Sequence, residues 1–215
     1  STLDQLFQEN ANLSGWIDGN MRAHIDFEHL YNLSIDGELN GHDLLVPLKS
    51  ETPLQINRLA IKGARGKMLI KSADLSWSDL RLNMSGSVEP RAPKHLWLDL
   101  DIDADSVDAD HLIKTLKGKD DHEDQEPAAK SPSLPVQGNI RFKTERLKFK
   151  KLTVQPLHVD IRLQNDLADI TLTETRICGI STPGTVKVSS QSLQFDLKPG
   201  AQDQELNFAL NCLAN

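Results

Sequence analysis

Along most of the chain, apolar and polar side chains alternate with a period of two. Met21, Ala23, Ile25 and Phe27 share one face against Arg22, His24 and Asp26, and Leu33, Ile35, Gly37 and Leu39 repeat the pattern around Ser34, Asp36 and Glu38. Successive strand side chains point to opposite faces, so this period predicts half-buried β-strands. Further strands are predicted at 54–61, 67–70, 74–77 and 80–88, with Gly63 and Gly66 among the punctuation. The clearest strand is 95–104, where Leu96, Leu98, Leu100 and Ile102 make an aliphatic face and Asp99, Asp101 and Asp103 a charged one. The connections are short, which predicts largely antiparallel pairing.

The period changes at 106–118, where Ala109, Leu112, Ile113 and Leu116 take helical spacing, acids crowd the start, lysines the end, and Gly118 supplies a stop. A second short helical turn is predicted at 2–9. Residues 118–135, GKDDHEDQEPAAKSPSLP, are nearly free of apolar side chains, which predicts a flexible acidic, Pro/Ser-rich linker or loop. Beyond it period two returns at 138–144, 147–154, 157–163, 168–176, 184–188, 192–197 and 205–212. The expected organisation is therefore an N-terminal β unit over 1–117 ending in a helix, the linker 118–135, and a C-terminal β unit over 136–215.

Composition narrows the functional classes. The 215 residues are 38% hydrophobic and only 5% aromatic, so the apolar content is mostly aliphatic. A formal net charge of −7, without a basic stripe interleaved with aromatics, lacks the electrostatic footprint of a nucleic-acid binder. No apolar run approaches the roughly 20 residues of a membrane-spanning helix, and no signal peptide opens the chain at Ser1. Its ends read as those of a piece of a longer protein.

Candidate chemistry is sparse. The aspartates from Asp99 to Asp110 suggest a calcium loop, but the run lacks the glycine and the bidentate glutamate at the spacing such a loop needs, and period two spreads the carboxylates along an extended face. The seven histidines are scattered, and no nucleophile elbow, phosphate loop or dinucleotide fingerprint is present. The expectation is a protein that is not an enzyme and carries no cofactor or metal. Cys178 and Cys212, each in a predicted strand, are open to two readings, a cross-strand disulfide or two buried thiols.

What remains is the aliphatic face itself: Leu98, Leu100, Ile102, Ile140, Phe142, Ile161, Leu163, Ile170, Leu172, Phe195 and Leu197. Such a face either packs on a second sheet as a sandwich core or lines an open trough for acyl chains, and periodicity alone favours the sandwich, the commoner all-β arrangement.

Two stretches bear on that choice. The segment Leu134 to Phe149, followed by Leu157 to Leu163, Ile170 to Thr173 and Cys178-Gly179-Ile180 ahead of Gly184, resembles the C-terminal repeat of AsmA-like proteins. The earlier Leu82 to Val88, Leu98 to Ala104 and Leu112 to Leu116 are similar to the preceding repeat of that family. The resemblance lies in alternation and glycine placement over most of the chain, and the long acidic linker departs from it. It implies a mainly β fold, an elongated and strongly curved antiparallel sheet forming an open groove, with one or two short helices. It further implies a periplasmic protein of the Gram-negative envelope, anchored in the inner membrane by a part absent from this sequence, that binds or conducts phospholipids between inner and outer membranes. The alternative reading is a non-enzymatic β-sandwich interaction or assembly module of the envelope.

Overall fold

The computed structural model describes residues 14–24, 34–48, 52–64, 66–91, 95–112, 136–150, 152–164, 167–189, 191–200 and 212. Twelve strands account for nearly all of them: β1 (Ser14–His24), β2 (Ser34–Val46), β3 (Leu54–Ala64), β4 (Lys67–Trp77), β5 (Leu80–Arg91), β6 (His95–Asp108), β7 (Val136–Phe149), β8 (Leu152–Gln164), β9 (Leu167–Ile177), β10 (Ile180–Ser181), β11 (Gly184–Ser189) and β12 (Leu193–Leu197). All belong to one open, curved sheet in the order β1 to β9, then β11 and β12, with β10 beside β9. At about 4.8 Å per strand spacing, the ten spacings from β1 to β12 carry the sheet through about 48 Å. No second sheet packs over it among the described residues, so the sandwich architecture is not what this chain adopts there.

Among the described residues every pairing is antiparallel except one. β6 and β7 lie parallel, with Leu96 opposite Val136 and Asp108 opposite Lys148. The two β units expected at 1–117 and 136–215 are thereby halves of one sheet, joined edge to edge. The largely antiparallel pairing expected from the short connections is what the sheet shows, and the seam departs from it for a topological reason: the connection between β6 and β7 is long and returns the chain to the starting end, as parallel neighbours require. The linker residues that make most of it lie outside the described residues, as do the expected helical turn at 2–9 and the residues 205–211 of the expected last strand.

Several element boundaries differ from the sequence pattern. The two short strands expected at 67–70 and 74–77 are one strand, β4, with a bulge between Ile70 and Ala73 that the period-two count reads as a break. The strand expected at 147–154 is divided between β7 and β8 by a turn at Lys150, whose φ is 55°. The expected 157–163 strand begins earlier, at Leu152, and runs through Pro156 with a register shift between Val154 and Leu157. β6 continues to Asp108, and of the expected helix 106–118 helical backbone is described over 109–112, where the Asp108 carboxylate accepts the His111 N–H at 2.9 Å as an N-cap.

Curvature has a visible local source. Gly86 and Gly138 flank β6 from opposite sides at φ of 135° and 136°, a conformation essentially reserved for glycine. A Cβ on Gly86 would lie 2.1 Å from the Asp99 carbonyl oxygen, and one on Gly138 only 1.8 Å from that of Leu98. Such glycine kinks, together with bulges, bend a sheet without breaking its ladder.

Candidate functional site

Register assembles the alternating residues into rows that cross the whole sheet. One row reads Leu39, Ile61, Ile70, Gly86, Leu100, Ile140, Ile161, Ile170, Val186 and Phe195 from β2 to β12. The next reads Leu59, Ala73, Met84, Ile102, Phe142, Val159, Leu172, Gly184 and Leu197. A third carries Met68, Val88, Leu98, Gly138, Leu163, Ala168, Val188 and Leu193. All eleven candidate residues thus lie on one face, and none of these three rows is interrupted by a charge. The face crosses the parallel seam without a break because Leu98, Leu100 and Ile102 stand opposite Gly138, Ile140 and Phe142.

Burial separates this face from an ordinary core. Ile70, Ala73, Val88, Ala104 and Val159 are buried, yet ten of the eleven candidates are only half-buried and Phe195 is 64% exposed. Among the described residues the single fully buried side chain is Cys178. A packed interior would enclose its large aliphatic residues almost completely. Toward the end of the strands the spacing slips: Ala104 and Thr144 are buried, the next two positions on each strand are exposed, and Val107 and Leu147 follow as a facing pair.

The opposite face is a charge ladder. The Arg141 guanidinium on β7 grips Asp101 on β6 through both oxygens, its Nε donating to Oδ1 and its Nη2 to Oδ2 at 2.7 Å, and lies 3.3 Å from Asp99 Oδ1. This clamp bridges the seam. It holds the Asp101 carboxyl below the usual carboxylate range and raises Arg141 further. Lys62 donates to Glu38 at 2.8 Å and lowers its pKa in the same way, and His158 faces Glu174 at 3.0 Å. A depression of about 430 Å³ lies on this side, lined by the oppositely charged Arg141, Asp160, Arg162 and Asp169. Among the described residues no group of three potential ligands gathers to hold a metal ion. Trp97 is half-buried on this face with the Arg91 guanidinium 4.1 Å from its ring centre.

Cys178 and Cys212 are joined in a disulfide, with their Cα atoms 5.6 Å apart. Neither is in a strand. Cys178 occupies the turn after β9 at φ 50°, and Cys212 has helical backbone.

Sequence reasoning located the second-half rows but left out their continuation into β2 to β5, where Gly41, Gly63 and Gly86 occupy apolar-face positions and thin the pattern. It also missed the Arg141 clamp. The available signal was the constant offset of forty residues that places Arg141 opposite Asp101 and Ile140 opposite Leu100. Comparison of the chain with protein-family models, with curated proteins and with solved structures finds no match.

Proposed function

We propose that this chain is a lipid-binding segment, whose apolar sheet face holds acyl chains of phospholipids while headgroups stay in water. The observation that carries the reading is the uninterrupted apolar face: three rows crossing the seam and reaching β12, half-buried, with no second layer of strands over them among the described residues. An exposed apolar surface of this extent is rare on a soluble protein unless it meets a ligand, a partner or a membrane. Each buried methylene contributes about 0.8 kcal/mol, so roughly ten methylenes of one chain supply about 8 kcal/mol before the cost of association.

The rest of the proposal is non-covalent in mechanism. Lipid would be held and passed along the rows, in a periplasmic protein of AsmA-like type that conducts phospholipids between inner and outer membranes. The disulfide supports an oxidising compartment.

Native mass spectrometry and solvent extraction of the purified chain provide the test. Phospholipid should copurify or be taken up from vesicles, and Ile140→Glu should reduce that uptake several-fold while Thr171→Glu on the opposite face leaves it unchanged. A folded chain that neither carries nor acquires phospholipid would defeat the proposal.

A further inference from the structure

The turn between β7 and β8 carries chemistry that the apolar face does not explain. Phe149 and Leu152 are cross-strand partners at its base, and each is 39% exposed. Lys150 begins the turn, with its Nζ 5.4 Å from the Phe149 ring centre, and Lys151 follows it in the sequence. Arg146 and Lys148 are exposed on the strand leading to it. Three large apolar side chains, Leu147 among them, and four cations thus fall within seven residues of a chain whose net charge is −7. Two acids at the foot of the turn accept backbone N–H groups. Asp108, beside Lys148 in register, caps the His111 N–H, and the Asp110 carboxylate accepts the Lys150 backbone N–H. Glu145 is the remaining acid on this stretch of β7.

We infer that this hairpin tip docks on the surface of a bilayer containing anionic phospholipid, with Phe149 and Leu152 entering the headgroup region and Lys148, Lys150 and Arg146 meeting phosphate. Charge decides the occupant. A chain this acidic is repelled by an anionic surface over most of its area, so approach through a basic apolar turn is favoured, and apolar side chains beside cations suit the headgroup boundary. Docking here requires no lipid on the apolar face, and a chain that never copurifies with lipid is expected to dock equally.

Cosedimentation with vesicles tests the inference. Wild-type chain should sediment with vesicles of phosphatidylcholine and phosphatidylglycerol in equal parts, much less with phosphatidylcholine alone, and be released by raised salt because exposed charges are screened. Phe149→Ser combined with Leu152→Ser should weaken binding about tenfold, and Lys148→Glu or Lys150→Glu about fivefold each or more, whereas Lys198→Glu beyond β12 should change little. Near-ultraviolet circular dichroism confirms that each variant is folded. Wild-type chain that ignores phosphatidylglycerol at low salt, binding that is indifferent to salt, or folded tip variants that bind like wild type would each overturn it. So would a concentration-dependent dimer, abolished by the tip substitutions, in place of vesicle binding.

Discussion

Replacing Gly138 by alanine probes the seam most directly. The added Cβ would stand 1.8 Å from the Leu98 carbonyl oxygen, and even a tight contact needs 3.0 Å, so β6 and β7 must separate locally by about 1.2 Å. Ladder hydrogen bonds near 2.9 Å do not survive such a displacement. Losing two of them costs about 2 kcal/mol, and holding a non-glycine residue in this backbone region costs about 1–3 kcal/mol more. The expected loss is therefore about 3–5 kcal/mol. Urea unfolding followed by far-ultraviolet circular dichroism reads it as a midpoint lowered by about 1 M or more. Gly200→Ala is the matched control, because a Cβ there meets nothing within 4 Å and should shift stability by less than about 0.5 kcal/mol. If Gly138→Ala proves as mild as Gly200→Ala, the seam does not have the tight backbone approach described.

Other perturbations separate the remaining contributions. Removing the disulfide by Cys178→Ala with Cys212→Ala frees a loop of sequence separation 34 and, on the chain-entropy relation, should cost about 4 kcal/mol in the same urea assay. Arg141→Met should cost about 1 kcal/mol or less at neutral pH, since the clamp's side chains are nearly half exposed. The sign of its pH dependence follows from Asp101, whose folded pKa is lowered: its contribution is present above the unfolded value of about 3.9 and is lost as pH falls through the folded one. Unfolding curves of wild type and Arg141→Met should thus begin to approach as pH falls below about 3.9 and meet only once it is below the lowered pKa of Asp101; a gap that persists there would assign the effect to packing instead.

Period two made the strand content and the sharing of a face by Leu98, Leu100 and Ile102 legible, because both depend on nearest neighbours in the chain. The strand faces read from sequence for Ile140, Ile161 and Ile170 hold for the same reason. What period two does not carry is pairing between distant segments. The parallel β6–β7 contact depends on residues forty positions apart, and bulges at 70–73 and the turn at Lys150 alter phase without altering composition. The Arg141–Asp101 clamp depends on the same distant register, which nothing adjacent to Arg141 in the chain encodes. The absence of a second sheet over the described strands was equally invisible, since a sandwich core and an open face share one alternation.

The parallel seam also has a kinetic meaning. Each half is a meander whose hairpins can zip one after another through short loops, but β6 can find β7 only by closing a separation of 40 residues. Closure of that size carries an entropic barrier before any ladder bond repays it, so the halves should acquire structure first and join last. Substitutions that weaken the seam then slow the final step of folding, while those in the outer hairpins act mainly on how fast the finished sheet comes apart. A newly made chain would pass through a stage with β6 and β7 as two unpaired inner edges, each capable of accepting a strand from the wrong molecule.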